Sequence, residues 1–310
     1  MTQLHRFAAV AAALALCVSA CGSTEETTAS LRDQIQVSGD FGSRATLDID
    51  APVKVPESTS WVVEAGKGDK VSPGATAILQ LTLANGRTAE TAFSTFEEGQ
   101  RPIEAMLGDQ VFPSLVRALT GRPADSRVVV ASTSDDTYGD KGAPQINIRG
   151  GDPVVMVVDI LSTDPTSVLD GPTGAAVTPP TTAPAVQEKG GVPAGFDFTQ
   201  ARKPKKLQVV TLREGTGPVV EAPDRIAADY FGAVWGAKKP FDETFTREPA
   251  KFSIGLGSVI QAWDTALAGR KEGARVMIIC PPKLAYGATA QPNIPAKSTL
   301  VFVVDVLGVG

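Results

Sequence analysis

Apolar and polar positions alternate along the last third of the chain in short runs. Residues 207–212, 225–235, 275–280 and 299–307 are rich in Val, Ile and aromatic side chains, as strands are. Between the second and third of these runs the spacing changes. Gly257 and Ser258 lead into Ile260, Trp263 and Leu267, apolar positions three and four apart, and Gly269 closes the pattern. That predicts one short helix with a single apolar face. Such a face needs a sheet to cover it, so the expected class is α+β, an antiparallel sheet wrapped on a short helix.

The same succession occurs twice. VEAGKGDKVSPGATAILQL (63–81) matches LREGTGPVVEAPDRIAADY (212–230) at a shift of 149 residues. AFSTF (92–96) against PFDET (240–244), VFPSLVRALTG (111–121) against VIQAWDTALAG (259–269), and Tyr138-Gly139 against Tyr286-Gly287 follow at 148. PVVMVVDIL (153–161) and TLVFVVDVL (299–307) match at 146. A near-constant offset over this length indicates an internal duplication with one domain per copy. We therefore expect domains at 45–163 and 205–310. The segment 164–204 between them contains TPPTTAPA (178–185), which reads as a semi-stiff Pro/Thr/Ala-rich linker. It ends in the basic residues Arg202, Lys203, Lys205 and Lys206.

The N-terminus has a different plan. Arg6 precedes an apolar run, 7–20, that is short for a bilayer span and fits a secretory signal at 1–20. Val18-Ser19-Ala20-Cys21 resembles the bacterial lipobox. That resemblance implies acylation of Cys21, with palmitate-type chains, and a lipoprotein held on the extracytoplasmic face of the cell membrane. The alternative is plain secretion with a free thiol at Cys21. The small polar residues 23–30 suit a tether, expected over 21–44.

Composition removes several functions. The formal charge of -5 gives nucleic acid no basic surface. His5 is the one histidine and lies in the export segment, so imidazole catalysis and His metal sites are excluded, and no metal or cofactor is expected. Two of the three cysteines fall within the first 21 residues, leaving Cys280 with no disulfide framework; it reads as a buried structural thiol.

The second copy carries, in order, ADYFGAVW (228–235), KKPFDETF (238–245), GSVIQAWDTALAGRKEGARV (257–276), LAYGA (284–288) and STLVFVVDVL (298–307). Together these resemble the FKBP-type peptidyl-prolyl cis-trans isomerases, over nearly all of this copy. The resemblance implies a pocket formed by Tyr230, Phe241, Asp242, Val259, Ile260, Trp263, Tyr286 and Phe302, with Ile294 overhanging it. Trp263 would be the floor, and the Ile260 N–H would meet a substrate carbonyl. Tyr286 and Asp242 would be the polar catalytic residues. It also implies proline-containing polypeptide substrates and macrolide inhibitors as ligands. Taken singly, the same aromatics are ordinary core residues, and Asp242 an ordinary turn residue. The chain departs from the family at Ala250, where a bulky aromatic is common, and at Gln291, where a histidine often stands.

At the matching positions of the first copy, Tyr230 becomes Leu81, Asp242 becomes Ser94, Trp263 becomes Leu115 and Phe302 becomes Met156, while Phe93, Val111, Phe112 and Tyr138 are kept. The first copy is thus expected to be a degenerate FKBP-like domain: a polypeptide or partner binder, or a spacer. The overall expectation is a membrane-anchored isomerase aiding the folding of exported proteins. The rival is a non-catalytic chaperone or envelope-interaction lipoprotein in which both copies only bind.

Overall fold

The computed structural model describes residues 22–310; the export segment and the lipobox cysteine Cys21 lie outside the described residues. Helix α1 (Gly22–Gln34) opens the chain, followed by a two-stranded hairpin of β1 (Ile35–Ser38) and β2 (Thr46–Ile49). Strands β3 (Thr59–Glu64), β4 (Thr76–Asn85), β5 (Thr91–Ser94) and β6 (Ile103–Met106) precede α2 (Pro113–Leu119), β7 (Ser126–Ser132) and β8 (Val154–Thr163). A second hairpin, β9 (Ala185–Lys189) and β10 (Val192–Asp197), leads into β11 (Gln208–Glu214), β12 (Arg225–Val234), β13 (Asp242–Glu243) and β14 (Ala250–Ser253). Helix α3 (Gln261–Leu267), β15 (Ala274–Cys280) and β16 (Leu300–Val309) complete the chain.

Two six-stranded antiparallel sheets result, with one strand order. The first runs β3-β7-β8-β4-β5 with β6 also on β4; the second runs β11-β15-β16-β12-β13 with β14 also on β12. Each packs its helix on one face. In the first, Leu115, Ala118 and Leu119 of α2 meet Val128, Val130, Met156 and Val158. In the second, Trp263, Ala266 and Leu267 of α3 meet Val276, Ile278, Phe302 and Val304.

Alternation in a strand sends every other side chain to the opposite face. Here those residues are also apolar: Val129, Ala131, Val155 and Val157 in the first sheet, Met277, Ile279, Val301 and Val303 in the second. Exposed, they would leave an apolar sheet face in water. The two segments read from sequence as tether and linker cover them, and this corrects both expectations. In 21–44, Leu31 and Ile35 are buried at 1% and 2% exposure and pack, with Ile49, on the first sheet against Trp61, Val129 and Val157. The first domain therefore begins with α1 and not at residue 45. In 164–204, Ala183, Val186, Phe196 and Phe198 cover the second sheet. Upstream of that hairpin the same segment bonds along the sheet, through Leu169 N–H to Leu307 O at 2.8 Å, Thr173 N–H to Gly273 O at 2.7 Å and Val177 N–H to Leu212 O at 2.9 Å.

Each covering hairpin is locked by a buried arginine. Arg127 on β7 donates to Asp159 on β8 through Nε and Nη2, at 2.6 and 2.7 Å, and reaches the carbonyls of Gly39 and Ser43 in the β1-β2 turn. Arg275 on β15 pairs with Asp305 on β16 at the same two distances and reaches Glu188 and the Gly191 carbonyl of β9-β10. No helix among the described residues is long and apolar enough to cross a membrane.

Candidate active site

Strand alternation places Ile226, Ala228 and Tyr230 of β12 on the face that holds α3. β14 pairs antiparallel with the start of β12, setting Phe252 opposite Ile226 and Ala250 opposite Ala228. Beyond β14 the chain crosses the end of the sheet and enters α3 at Ile260, so Trp263 faces the sheet from the first turn. Tyr286 follows a 3-10 turn at Pro282–Leu284, and Phe302 comes from β16, paired with Gly232. These elements border an open cleft of about 460 Å³, lined by Tyr230, Phe241, Asp242, Ala250, Phe252, Ser258, Val259, Ile260, Trp263, Tyr286 and Phe302.

The Trp263 indole is the floor. Tyr230 and Phe302 stand edge-on to it at centroid distances of 5.1 and 5.2 Å, and Phe252 is tilted against it at 5.1 Å. Phe241 meets Phe302 edge-on at 5.7 Å. Such edge contacts are the favoured geometry for aromatic rings. The crossing leaves no room at Gly232, where an added Cβ would lie 2.8 Å from Phe241 and 2.9 Å from Phe302. The buried Trp263 Nε1–H has no hydrogen-bond partner among the described residues.

Polar groups gather on one rim. The Tyr230 hydroxyl donates to Asp242 Oδ2, and Asp242 Oδ1 accepts from Arg247 Nη2 at 2.7 Å and from the Glu243 N–H at 3.0 Å. Burial first, and then the Asp242 hydrogen bond, push the Tyr230 hydroxyl well above its ordinary range, so it stays a donor. The Arg247–Asp242 pair is about half exposed on both sides and orients the carboxylate more than it stabilises the fold. Tyr286 is 39% exposed, and burial of its inner part raises its hydroxyl too. Cys280 lies in the core behind the site, its thiol pushed by burial up to about 11.

Of the residues expected at the site, Tyr230, Phe241, Asp242, Val259, Ile260, Trp263, Tyr286 and Phe302 come together. Ile294 is not among the cavity-lining residues but lies in the same buried cluster as Trp263 and Phe302. Reciprocal backbone bonds between Gln291 and Ile294 form a tight turn that drives the side chain into the core at 5% exposure. Ala250, Phe252 and Ser258 were not expected at the site. The first two could have been found from the two-residue period of β14; Ser258 depends on the path of the loop.

The first copy differs more than the matched sequences suggest. Thr82 pairs with Ser94 where Phe231 pairs with Glu243, and Leu81 bonds Thr95 where Tyr230 bonds Thr244. Ser94 is therefore equivalent to Glu243, and Phe93, not Ser94, occupies the place of Asp242; Ala92 stands in for Phe241. Leu81, Leu115 and Met156 fill the region of the pocket floor at 7%, 5% and 0% exposure. Phe112 and Tyr138 meet edge-on at 5.0 Å beside them.

The model of the family described as FKBP-type peptidyl-prolyl cis-trans isomerase matches residues 217–307. An FK506-binding protein of Streptomyces anulatus is 34% identical over 116 residues, which are 36% of this chain and 94% of that protein. This chain belongs to the FKBP-type isomerase family. FK506-binding protein 4 of Mycosarcoma maydis is 38% identical over 105 residues, 34% of this chain and 28% of that protein. A Drosophila melanogaster 39 kDa FK506-binding nuclear protein is also 38% identical, over 33% of this chain and 29% of its own length. The chain thus spans under a third of these longer relatives. The crystal structure of the three FKBP domains of wheat FKBP73 aligns with 82% of this chain and 94% of that one, at 15% identity and a TM-score of 0.35. The FKBP-family match falls on the copy that holds the aromatic cavity.

Proposed function

We propose that the second domain catalyses cis–trans isomerisation of X-Pro bonds in polypeptides. The observation that carries this is the open cleft floored by Trp263 and walled by Tyr230, Phe241 and Phe302, with a polar rim. Rotation about the amide is slow because C–N double-bond character must be lost, at about 20 kcal/mol. The twisted transition state has a less polar amide than the ground state, so a water-poor aromatic site binds it better. A thousandfold acceleration requires about 4 kcal/mol of such differential binding. Trp263, Tyr230, Phe241 and Phe302 would hold the proline ring. The Ile260 N–H and the Tyr286 hydroxyl, neither hydrogen-bonded among the described residues, would donate to substrate carbonyls. A protease-coupled assay of a proline tetrapeptide, run on the full chain because 183–198 covers the second sheet, tests the proposal. Binding of a proline peptide without acceleration would favour the chaperone reading. FK506-type ligands, which the names of the relatives carry, are expected to compete in the same cavity, with Ala250 widening one wall.

The proposal extends to location and to the first copy. Cys21 in its lipobox-like setting would carry acyl chains and hold the protein on the outer face of the cell membrane, where it would assist exported proteins. Fatty-acid labelling of intact protein against Cys21→Ala tests this; unchanged label and membrane retention would reject it. The first copy, 45–163 with its cover from 22–49, would be a degenerate FKBP-like domain that does not isomerise.

A further inference from the structure

The loop between β14 and α3 forms one lip of the cavity, through Ser258, Val259 and Ile260. It takes an unusual path, with Gly255 and Gly257 at φ of +86° and +73°. From inside its own domain it is held by Asp264 of α3, whose carboxylate accepts the N–H groups of Gly255 at 2.8 Å and Gly257 at 3.1 Å. From the other side it is held by the first domain. Glu104 on β6 accepts the Ser258 hydroxyl at 2.8 Å through Oε2, and Arg101 Nη1 donates to the Leu256 carbonyl at 2.9 Å. The other oxygen of Glu104 contacts Arg225, which is buried and also donates to Asp164 at 2.6 Å and Ser253 at 3.2 Å.

We propose that the first domain acts in cis as the outer brace of the catalytic lip, with Glu104 and Arg101 as positioning residues for loop 255–260. The inference rests on the isomerase reading of the cavity. Glu104 is anchored at one end to a buried cation at the domain junction and at the other to a residue of the pocket wall. It therefore transmits the position of the first sheet's edge to Val259 and to the Ile260 N–H. A copy without its own aromatic site thereby sets the shape of its neighbour's. Removing Glu104 leaves Arg225 paired with Asp164, so no buried charge is stranded and the fold should hold.

The test uses the full chain, as parent, Glu104→Ala, Glu104→Gln and Arg101→Ala, in two measurements. In kinetics on a proline peptide, Glu104→Ala should lower kcat/KM about three- to tenfold, with the loss in KM and kcat nearly unchanged, because the lip binds and does not react. Glu104→Gln keeps an acceptor for Ser258 and should restore most of the loss. In hydrogen–deuterium exchange, amides 254–260 should exchange faster in Glu104→Ala and, less so, in Arg101→Ala, while those of β12 and β16 stay as in the parent. Unchanged exchange and kinetics in a folded Glu104→Ala would overturn the proposal, as would a loss in kcat alone or no restoration by Gln. If Glu104→Ala fails to fold, the exposed Arg101→Ala decides by the same exchange readout. A parent without isomerase activity would reject the functional reading, while the exchange data would still decide whether the first domain braces the loop.

Discussion

Trp263, Tyr230, Asp242 and Tyr286 divide the work of the site between shape and hydrogen bonding. Tyr286→Phe removes one polar contact of about 1 kcal/mol and should lower kcat/KM roughly fivefold, while Asp242→Ala removes the acceptor of both Tyr230 and Arg247 and should lower it at least as far. Trp263→Ala removes the floor on which three rings rest and should cost more, with circular dichroism separating lost catalysis from lost fold. Both tyrosines are raised above their ordinary range and Cys280 lies at about 11, so kcat/KM should be flat from about pH 7 to 9; a steep slope there would reject the mechanism. Asp224 titrates lower. Burial, then repulsion from Glu221 and Asp125, outweighs the Glu221 N–H bond and raises its carboxyl to about 6. Unfolded, it would titrate near ~3.9. Between those values the folded state holds a proton that the unfolded state has lost, so this group's stabilising contribution is complete below about pH 4 and is lost as pH rises to about 6. Asp224→Asn should therefore gain stability relative to the parent on going from pH 4 to pH 7 in urea unfolding; an equal difference at both pH values would refute this. At this scale the site was largely legible, because its aromatics sit in compact motifs. The direction of Ile294 is set by a four-residue turn, which spacing does not reveal.

The two hairpins are the elements that sequence reading assigned wrongly. Residues 21–44 look like a tether because they are polar and small, and 164–204 like a linker because TPPTTAPA cannot form a core alone. The signal lay elsewhere, in the unbroken apolar runs of β7, β8, β15 and β16, which bury both faces and so demand a second cover. The buried arginines tie that cover down. Asp305→Ala would leave Arg275 with only Glu188 and a carbonyl, and should destabilise the protein by about 3–5 kcal/mol. Exchange in 185–197 should rise in the same variant. A loss below about 1 kcal/mol in denaturant unfolding would mean that solvent already reaches this pair.

Across the whole molecule, one fold plan occurs twice, and the aromatic cavity lies in the second copy. Residues 22–163 produced alone should fold yet accelerate prolyl isomerisation little or not at all, since Leu81, Ala92, Phe93, Leu115 and Met156 replace the aromatic and acidic lining. Activity matching the full chain would show that an aliphatic floor suffices. The sequence by itself determined the duplication and the helix-on-sheet plan of each copy, because strand and helix periods are properties of neighbouring positions; eight of the lining residues followed from the resemblance of its motifs to the FKBP family. Tertiary structure alone decided the slip that sets Phe93 in the place of Asp242, since register is fixed by pairing with a strand ten residues away. It also decided the covers of the outer sheet faces and the contact of Glu104 with Ser258. Those contacts join residues from 14 to 154 positions apart, where only packing brings side chains within hydrogen-bond reach.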